Sequence, residues 1–187
     1  MGNVRDDQFE LEAKVAVADL AEIEARLSSL GGRLVGRWHE IDRFFDFPDK
    51  HLKEADSALR LRQRTDLAAN TSQWRLTFKG PRQPSRFKNR REIELVLSPD
   101  QPGALQALLN ALELTEFISY TKLRTSFDYR ECTVELDELE GIGKFIEIEG
   151  PDETRIDRVL VDLGLESAPT ITQSYLAMVI EHRRQNL

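Results

Sequence analysis

Residues 9–15 read FELEAKV. In an extended chain successive side chains point to opposite faces. Glu10, Glu12 and Lys14 therefore share one face, and Phe9, Leu11, Ala13 and Val15 the other. The arrangement recurs along the chain. ALRLRQR sets Arg60, Arg62 and Arg64 against Leu59 and Leu61, and WRLTFK sets Arg75, Thr77 and Lys79 against Trp74, Leu76 and Phe78. NRREIELVL sets Arg90, Glu92 and Glu94 against Ile93, Leu95 and Leu97. TKLRTSFDY sets Lys122, Arg124 and Asp128 against Leu123, Phe127 and Tyr129. TVELDEL and KFIEIEG set Glu135, Asp137, Glu147 and Glu149 against Val134, Leu136, Ile146 and Ile148.

Acids and bases are segregated by strand more than mixed within one. An arginine fork grips phosphate oxygens in two places at once, and a lysine adds a compact point charge. Clustered carboxylates suit Mg²⁺ or Mn²⁺, which take oxygen ligands and bridge protein to substrate phosphates. Two readings follow. In one, a sheet shows water its polar side. In the other, the strands close with charged faces inward, and a triphosphate with a divalent cation neutralises a lumen that would be unstable without counter-ions. The alternation does not say which face is inside. The pattern also hints at an internal repeat: Glu10/Glu12 then Arg60/Arg62, and Glu92/Glu94 then Lys122/Arg124.

The elements that must position these rows can be read from periodicity. Strands are predicted at 9–17, 33–47, 58–64, 73–79, 91–97, 117–130, 131–138 and 144–149, with Gly141 and Gly143 in the last turn. Residues 49–57 read as a polar turn and 65–72 as a loop. A helix capped by Asp19 carries Leu20, Ile23, Leu27 and Leu30 and stops at Gly31-Gly32. A second opens at Ser98-Pro99 and runs through Leu114; a third spans 153–163. A last helix begins near Thr172, and its Tyr175, Leu176, Val179 and Ile180 read as core. Consecutive strands with few helices between them require antiparallel pairing with helices outside, an α+β fold.

With 187 residues and no linker or low-complexity tract, the chain reads as a single domain over 1–187. A formal net charge of −7 argues against non-specific binding to nucleic acid. Cys132 is the only cysteine, which excludes an intrachain disulfide and a cysteine-based zinc site. The expectation is a cytoplasmic protein with no membrane contact: no apolar run approaches the ~20 residues of a span, and MGNVRDDQFE has no apolar signal region. The stretch PRQPSRFKNRR (81–91) holds Arg82, Arg86, Lys88, Arg90 and Arg91 without an acid, and reads either as a mobile loop or as a cationic lid over an anion site. No GxxxxGK[ST] occurs, and GIGKF precedes a strand, so neither a P-loop nor a dinucleotide fingerprint is present. Base stacking on an RNA-binding sheet is disfavoured because Trp74, Phe78 and Phe127 lie opposite the charges.

ELEAK (10–14) resembles the ExExK signature of the CYTH superfamily, the triphosphate tunnel metalloenzymes. IDRFFD (41–46), ALRLR (58–62), LTFKGP (76–81), RREIE (90–94), KLR (122–124), ELDELEGIGKFIEIEG (135–150) and SYLAMV (174–179) fall in that family's order. The resemblance covers about residues 8–181, and LTFKGP, RREIE and LDELEGIGKFIEIE look most like the class IV adenylate cyclase branch. It implies an eight-stranded antiparallel β-barrel, a tunnel with a charged lumen and helices packed outside. It implies a triphosphate such as ATP held by Lys14, Arg60, Arg62, Lys79, Lys122 and Arg124, with Lys14, Glu12 and Arg124 at the chemistry. It implies Mg²⁺ or Mn²⁺ held by Glu10, Glu12, Glu147 and Glu149 with Asp137 nearby, and Arg90, Glu92 and Glu94 organising the lumen by pairing.

The implied activity is conversion of ATP to cyclic AMP and pyrophosphate. Its alternatives are hydrolysis of inorganic, thiamine or nucleoside triphosphate, and non-catalytic sensing of a polyphosphate or nucleotide. Some tripolyphosphatases of the family pair the signature lysine with a tyrosine after the first helix, and residues 33–46 contain none. Phe44 stands where the cyclase-like branch often has tyrosine. Oligomeric state stays open, with a homodimer among the options.

Overall fold

Alternation of the kind described leaves each strand with one face that must be covered. In the computed structural model, which describes residues 4–186 and side chains from Phe9 onward, that face is covered by helices. Eight strands, β1 (Val4–Val17), β2 (Arg33–Asp46), β3 (Ala58–Asp66), β4 (Ser72–Arg82), β5 (Lys88–Leu97), β6 (Thr115–Tyr129), β7 (Cys132–Leu139) and β8 (Gly143–Gly150), close into an antiparallel barrel. Their order around it is β1-β5-β4-β3-β2-β6-β7-β8. Five helices pack outside: α1 (Leu20–Ser29), α2 (His51–Glu54), α3 (Pro102–Ala111), α4 (Glu153–Asp162) and α5 (Tyr175–Gln185). This is the tunnel architecture that the resemblance implied. No helix among the described residues is long and apolar enough to cross a membrane.

The helix ends follow local chemistry. Asp19 Oδ1 accepts the Ala21 amide at 2.8 Å, Asp152 Oδ1 that of Arg155 at 2.9 Å, and Ser174 Oγ that of Ala177 at 3.3 Å. Each cap satisfies an amide that the first helical turn leaves without a partner. The Ser174 cap is why α5 starts at Tyr175 rather than near Thr172. Likewise α3 starts at Pro102, not Ser98-Pro99. Proline suits the first helical position because its fixed φ is helical and its missing N–H would have had no partner there. The 49–57 stretch is not all turn. Asp46 accepts the amides of Leu52 at 2.9 Å and Lys53 at 3.1 Å, and so winds α2.

The described residues group into two units. The first takes residues up to Glu10, Trp38–Pro84 and Asn89–Thr121; the second takes Leu11–Arg37, Ser85–Lys88 and Lys122 onward. In the first, Phe45, Leu61, Leu109 and Leu114 are buried together, with Leu59, Trp74, Leu76 and Leu97 packed against them. In the second, Ala13, Val15, Val134, Leu136, Ile146 and Ile148 pack on Ile23 and Leu27 of α1 and Ile156, Val159 and Leu160 of α4. Phe87, from the basic loop, joins this second core and is 2% exposed. Each fully buried valine, leucine, isoleucine or phenylalanine among these contributes about 1.5–3 kcal/mol.

Register then aligns the charged rows on the other face. Within the second unit Lys14 stands opposite Glu147, and Glu147 opposite Glu135; Glu12 stands opposite Glu149. Arg124 faces Asp137 across β6 and β7. Within the first unit Asp42 faces Arg62, Arg60 faces Thr77, Thr77 faces Glu94 and Lys79 faces Glu92.

Candidate active site

In the second unit the bases sit in a nest of carboxylates. Lys14 is 2% exposed. Its Nζ donates to the Gln173 carbonyl at 3.0 Å and lies 3.2 Å from Glu147 Oε1 and 3.8 Å from Glu12 Oε1. Arg124 donates from Nε to Asp137 Oδ1 at 2.6 Å and from Nη2 to both Asp137 Oδ2 and Glu147 Oε2. Lys122 Nζ donates to Asp137 Oδ2 at 3.2 Å, and the Tyr175 hydroxyl donates to the same oxygen at 2.8 Å. Ser126 donates to Glu135 at 2.5 Å. Burial would raise the Glu147 carboxyl, but Lys14, Arg124, Lys122 and Lys88 outweigh it and hold it well below the carboxylate range.

The first unit builds its site on arginine. Arg62 grips Asp42 with both prongs, Nε to Oδ1 at 2.6 Å and Nη2 to Oδ2 at 2.7 Å, and its Nη1 lies 3.1 Å from Glu40 Oε2. Arg64 Nε lies 3.3 Å from Glu40 Oε1, while the guanidinium stacks on Trp38 at 4.0 Å. Arg60 donates to Thr77 Oγ1 at 3.1 Å. Arg75 donates to Glu94 at 3.0 Å, Lys79 pairs with Glu92, and Arg90 donates to the Asp56 carbonyl at 3.2 Å. Phe44 is buried and stacks on Tyr120 with ring centres 5.8 Å apart.

Of the residues singled out by sequence, the second unit brings Glu12, Lys14, Lys122, Arg124, Asp137 and Glu147 together, with Glu149 exposed at the edge of the row. The first unit brings Arg60, Arg62, Lys79, Glu92 and Glu94 together, with Arg90 turned to the Asp56 carbonyl; Glu10 belongs to this unit's segment of β1.

Three further groups of residues join these ionic networks without having stood out in the sequence. Glu40 and Asp42 have no exposure at all and underlie the arginines. Tyr175, read as core, is buried, yet its hydroxyl and ring both engage the ionic network. Lys88, read only as part of a basic loop, donates to Glu12 Oε2 at 2.8 Å. Two other bases of that stretch are paired locally: Arg86 donates to Asp157 of α4 at 2.7 Å, and Arg82 pairs with Asp56.

The donors fit an oxygen-seeking divalent cation of limited protein coordination. Glu12 and Glu149 face each other directly across β1 and β8, and like charges so placed repel unless a cation intervenes. Glu12 Oε1 is buried and accepts no hydrogen bond. Among the described residues no three carboxylate, histidine or cysteine side chains form a protein cage for a metal. Asp137 is taken up by Arg124, Lys122 and the Tyr175 hydroxyl and serves as counter-ion to the two bases. One or two carboxylates completed by water and substrate phosphates are the usual set for Mg²⁺.

A family model described as the CYTH domain matches residues 8–175. A protein of Methanocaldococcus jannaschii, provisionally named an adenylate cyclase, is 26% identical over 179 residues, which cover 91% of this chain and 98% of that protein. The structure of a Pyrococcus horikoshii protein superposes with a TM-score of 0.80 at 28% identity, covering 93% of this chain and 99% of its own. A Hippeastrum protein, provisionally named an adenylyl cyclase and described as having a dominant triphosphatase activity, shares the fold with a TM-score of 0.70 at 21% identity, covering 92% and 96%.

Proposed function

Because the chain belongs to the CYTH domain family, a family of divalent-metal-dependent enzymes acting on triphosphates, we propose that it is an adenylate cyclase converting ATP to cyclic AMP and pyrophosphate. The observation that carries the reading is the set of near-dry bases in each unit: Lys14, Lys122, Arg124, Arg60 and Arg62 are each no more than 9% exposed, yet all stay ion-paired. Keeping so many cations out of water costs several kcal/mol apiece. A structural core gains nothing from that expense, whereas a polyphosphate site gains donors already oriented. The provisional name of the Methanocaldococcus jannaschii relative supports the choice of cyclase.

In this reading Lys14, Lys122 and Arg124, with Arg60, Arg62 and Lys79, hold the phosphates and neutralise the charge that builds on the leaving pyrophosphate as the ribose 3′-hydroxyl attacks the α-phosphorus. Glu12 and Glu149, with Glu147 and Glu10, would hold Mg²⁺ or Mn²⁺. When bound, that ion supplies Lewis-acid neutralisation of phosphate oxygens. Arg62, pinned at both prongs by Asp42 and set beside Glu40, is held in one rotamer, so its charge is already oriented when the phosphates arrive.

Hydrolysis of a triphosphate is the second reading. The Hippeastrum protein's description joins the cyclase name to a dominant triphosphatase activity, so a tunnel of this fold hosts hydrolysis as well. One incubation series separates the two: ATP, thiamine triphosphate and tripolyphosphate with each metal, products resolved by chromatography. Cyclic AMP with pyrophosphate is the expected outcome, and orthophosphate alone transfers the assignment to hydrolysis. Glu12→Ala and Arg62→Ala each abolish turnover in a folded chain; full activity in either overturns the site.

A further inference from the structure

Tyr175 opens α5, and the segment leading into it is stitched to the strand that carries Lys14. Ile171 N donates to the Lys14 carbonyl at 2.8 Å, Val15 bridges to Thr170, and the Gln173 carbonyl accepts from Lys14 Nζ. The Tyr175 side chain, 5% exposed, then does two things at once. Its ring lies 4.1 Å from Lys14 Nζ and 4.9 Å from Lys122 Nζ, seating both ammonium groups on its negative face. Its hydroxyl donates to Asp137 Oδ2, the oxygen that also receives Lys122 and Arg124.

We propose that Tyr175 is a positioning residue of the active site, which sets the stance of Lys14 and Lys122 through its ring and that of Arg124 through Asp137. The inference rests on the triphosphate reading above. Lysine ammoniums swivel on four-carbon stems, so a lysine site needs something to hold them. A carboxylate alone fixes distance; a ring face beneath and a carboxylate beside fix direction. Three of the bases assigned to the phosphates thus take their orientation from one phenol that itself need not touch substrate.

The role is tested by separating ring from hydroxyl. Tyr175→Phe keeps the ring and loses the Asp137 bond; kcat is expected to fall about tenfold with KM within twofold, because the misdirected charges matter most as phosphate charge grows. Tyr175→Leu loses both and is expected to fall roughly a hundredfold. Val179→Ala, one turn along the same helix and buried 3% exposed, loosens α5 without touching a cation and leaves kcat and KM unchanged. Tyr175→Phe with wild-type kcat and KM and only a lower Tm overturns the positioning role, as does Val179→Ala losing as much kcat. Should the phenylalanine variant not fold, 3-fluorotyrosine placed at 175 in the otherwise unaltered chain reports by fluorine NMR. Its resonance moves when tripolyphosphate and Mn²⁺-free Mg²⁺ are added, and an unmoved resonance refutes the role. A wild-type chain that neither binds nor turns over any triphosphate takes down the functional reading and the inference together. Turnover by the wild type with an indifferent Tyr175→Phe takes down the inference alone.

Discussion

Arg62 in the first unit and Lys122 in the second hold comparable places. Each rests on a carboxylate with no exposure, Asp42 in one case and Asp137 in the other. What surrounds them differs. The first unit answers its acids with arginine: Arg60, Arg62, Arg64 and Arg75 meet Asp42, Glu40 and Glu94 through planar forks and hydroxyls. The second uses Lys14, Lys88 and Lys122 with a single Arg124, and steadies them with the Tyr175 ring. It also sets carboxylates directly opposite each other, Glu12 to Glu149 and Glu135 to Glu147. Forks anchored at two points make a rigid anion grip, while point charges beside opposed carboxylates suit a place where a cation enters. One alternating pattern thus builds two kinds of charged surface.

The largest expected effect strikes the first unit. Asp42→Ala strips the support from Arg62 and leaves a buried guanidinium without its bidentate partner, at a cost of about 3–5 kcal/mol in urea denaturation. A loss below ~1 kcal/mol would mean that Arg62 needs no anchor and that the two units do not differ in rigidity. A smaller effect follows from Arg62→Lys. It keeps the charge but loses the fork, and kcat/KM falls about tenfold, or about 1.4 kcal/mol, with the fold intact. Wild-type kinetics in that variant would erase the distinction between an arginine unit and a lysine unit.

The smallest effect lies outside both networks, at Asp56. Burial pushes its carboxyl up, but hydrogen bonds from the Arg82 side chain and amide outweigh this, and its value lies below the ordinary one. A carboxyl depressed in the folded state stabilises the fold above its unfolded value of about 4, and that stability is lost as pH falls through the folded value. Denaturation midpoints of wild type and Asp56→Asn should therefore converge in acid and separate above about pH 4. Separation that grows toward low pH would reverse the assignment.

Much of this was legible in the residues. The period-two rows, the Asp19 cap and the Gly141/Gly143 turn lie where local spacing places them. Glu40 and Asp42 obey the same alternation, yet Arg43 between them and Phe44 charges the opposite face and blurs the period. In the fold Arg43 is only half-buried, reaching Glu116 at 3.8 Å and lying 5.6 Å from the Trp74 ring centre. Tyr175 was hidden for another reason. At helical spacing a tyrosine counts as apolar, and nothing local reveals that its hydroxyl meets Asp137, 38 residues away. Lys88 looked like one charge among five in a loop, because the insertion of Phe87 into the second unit's core, which sets Lys88 beside Glu12, is a tertiary event.

By itself the chain determined that each strand would have an ionic side and an apolar side, since alternation is local geometry. Which side turned inward, and which acid met which base, was decided only by tertiary structure. A period of two reads the same when the faces are exchanged, and the tie is broken by where the apolar stripes of α1, α3 and α4 find cover. Partnership comes from register between distant segments, as in Asp42 with Arg62 and Lys14 with Glu147, and no local spacing encodes it.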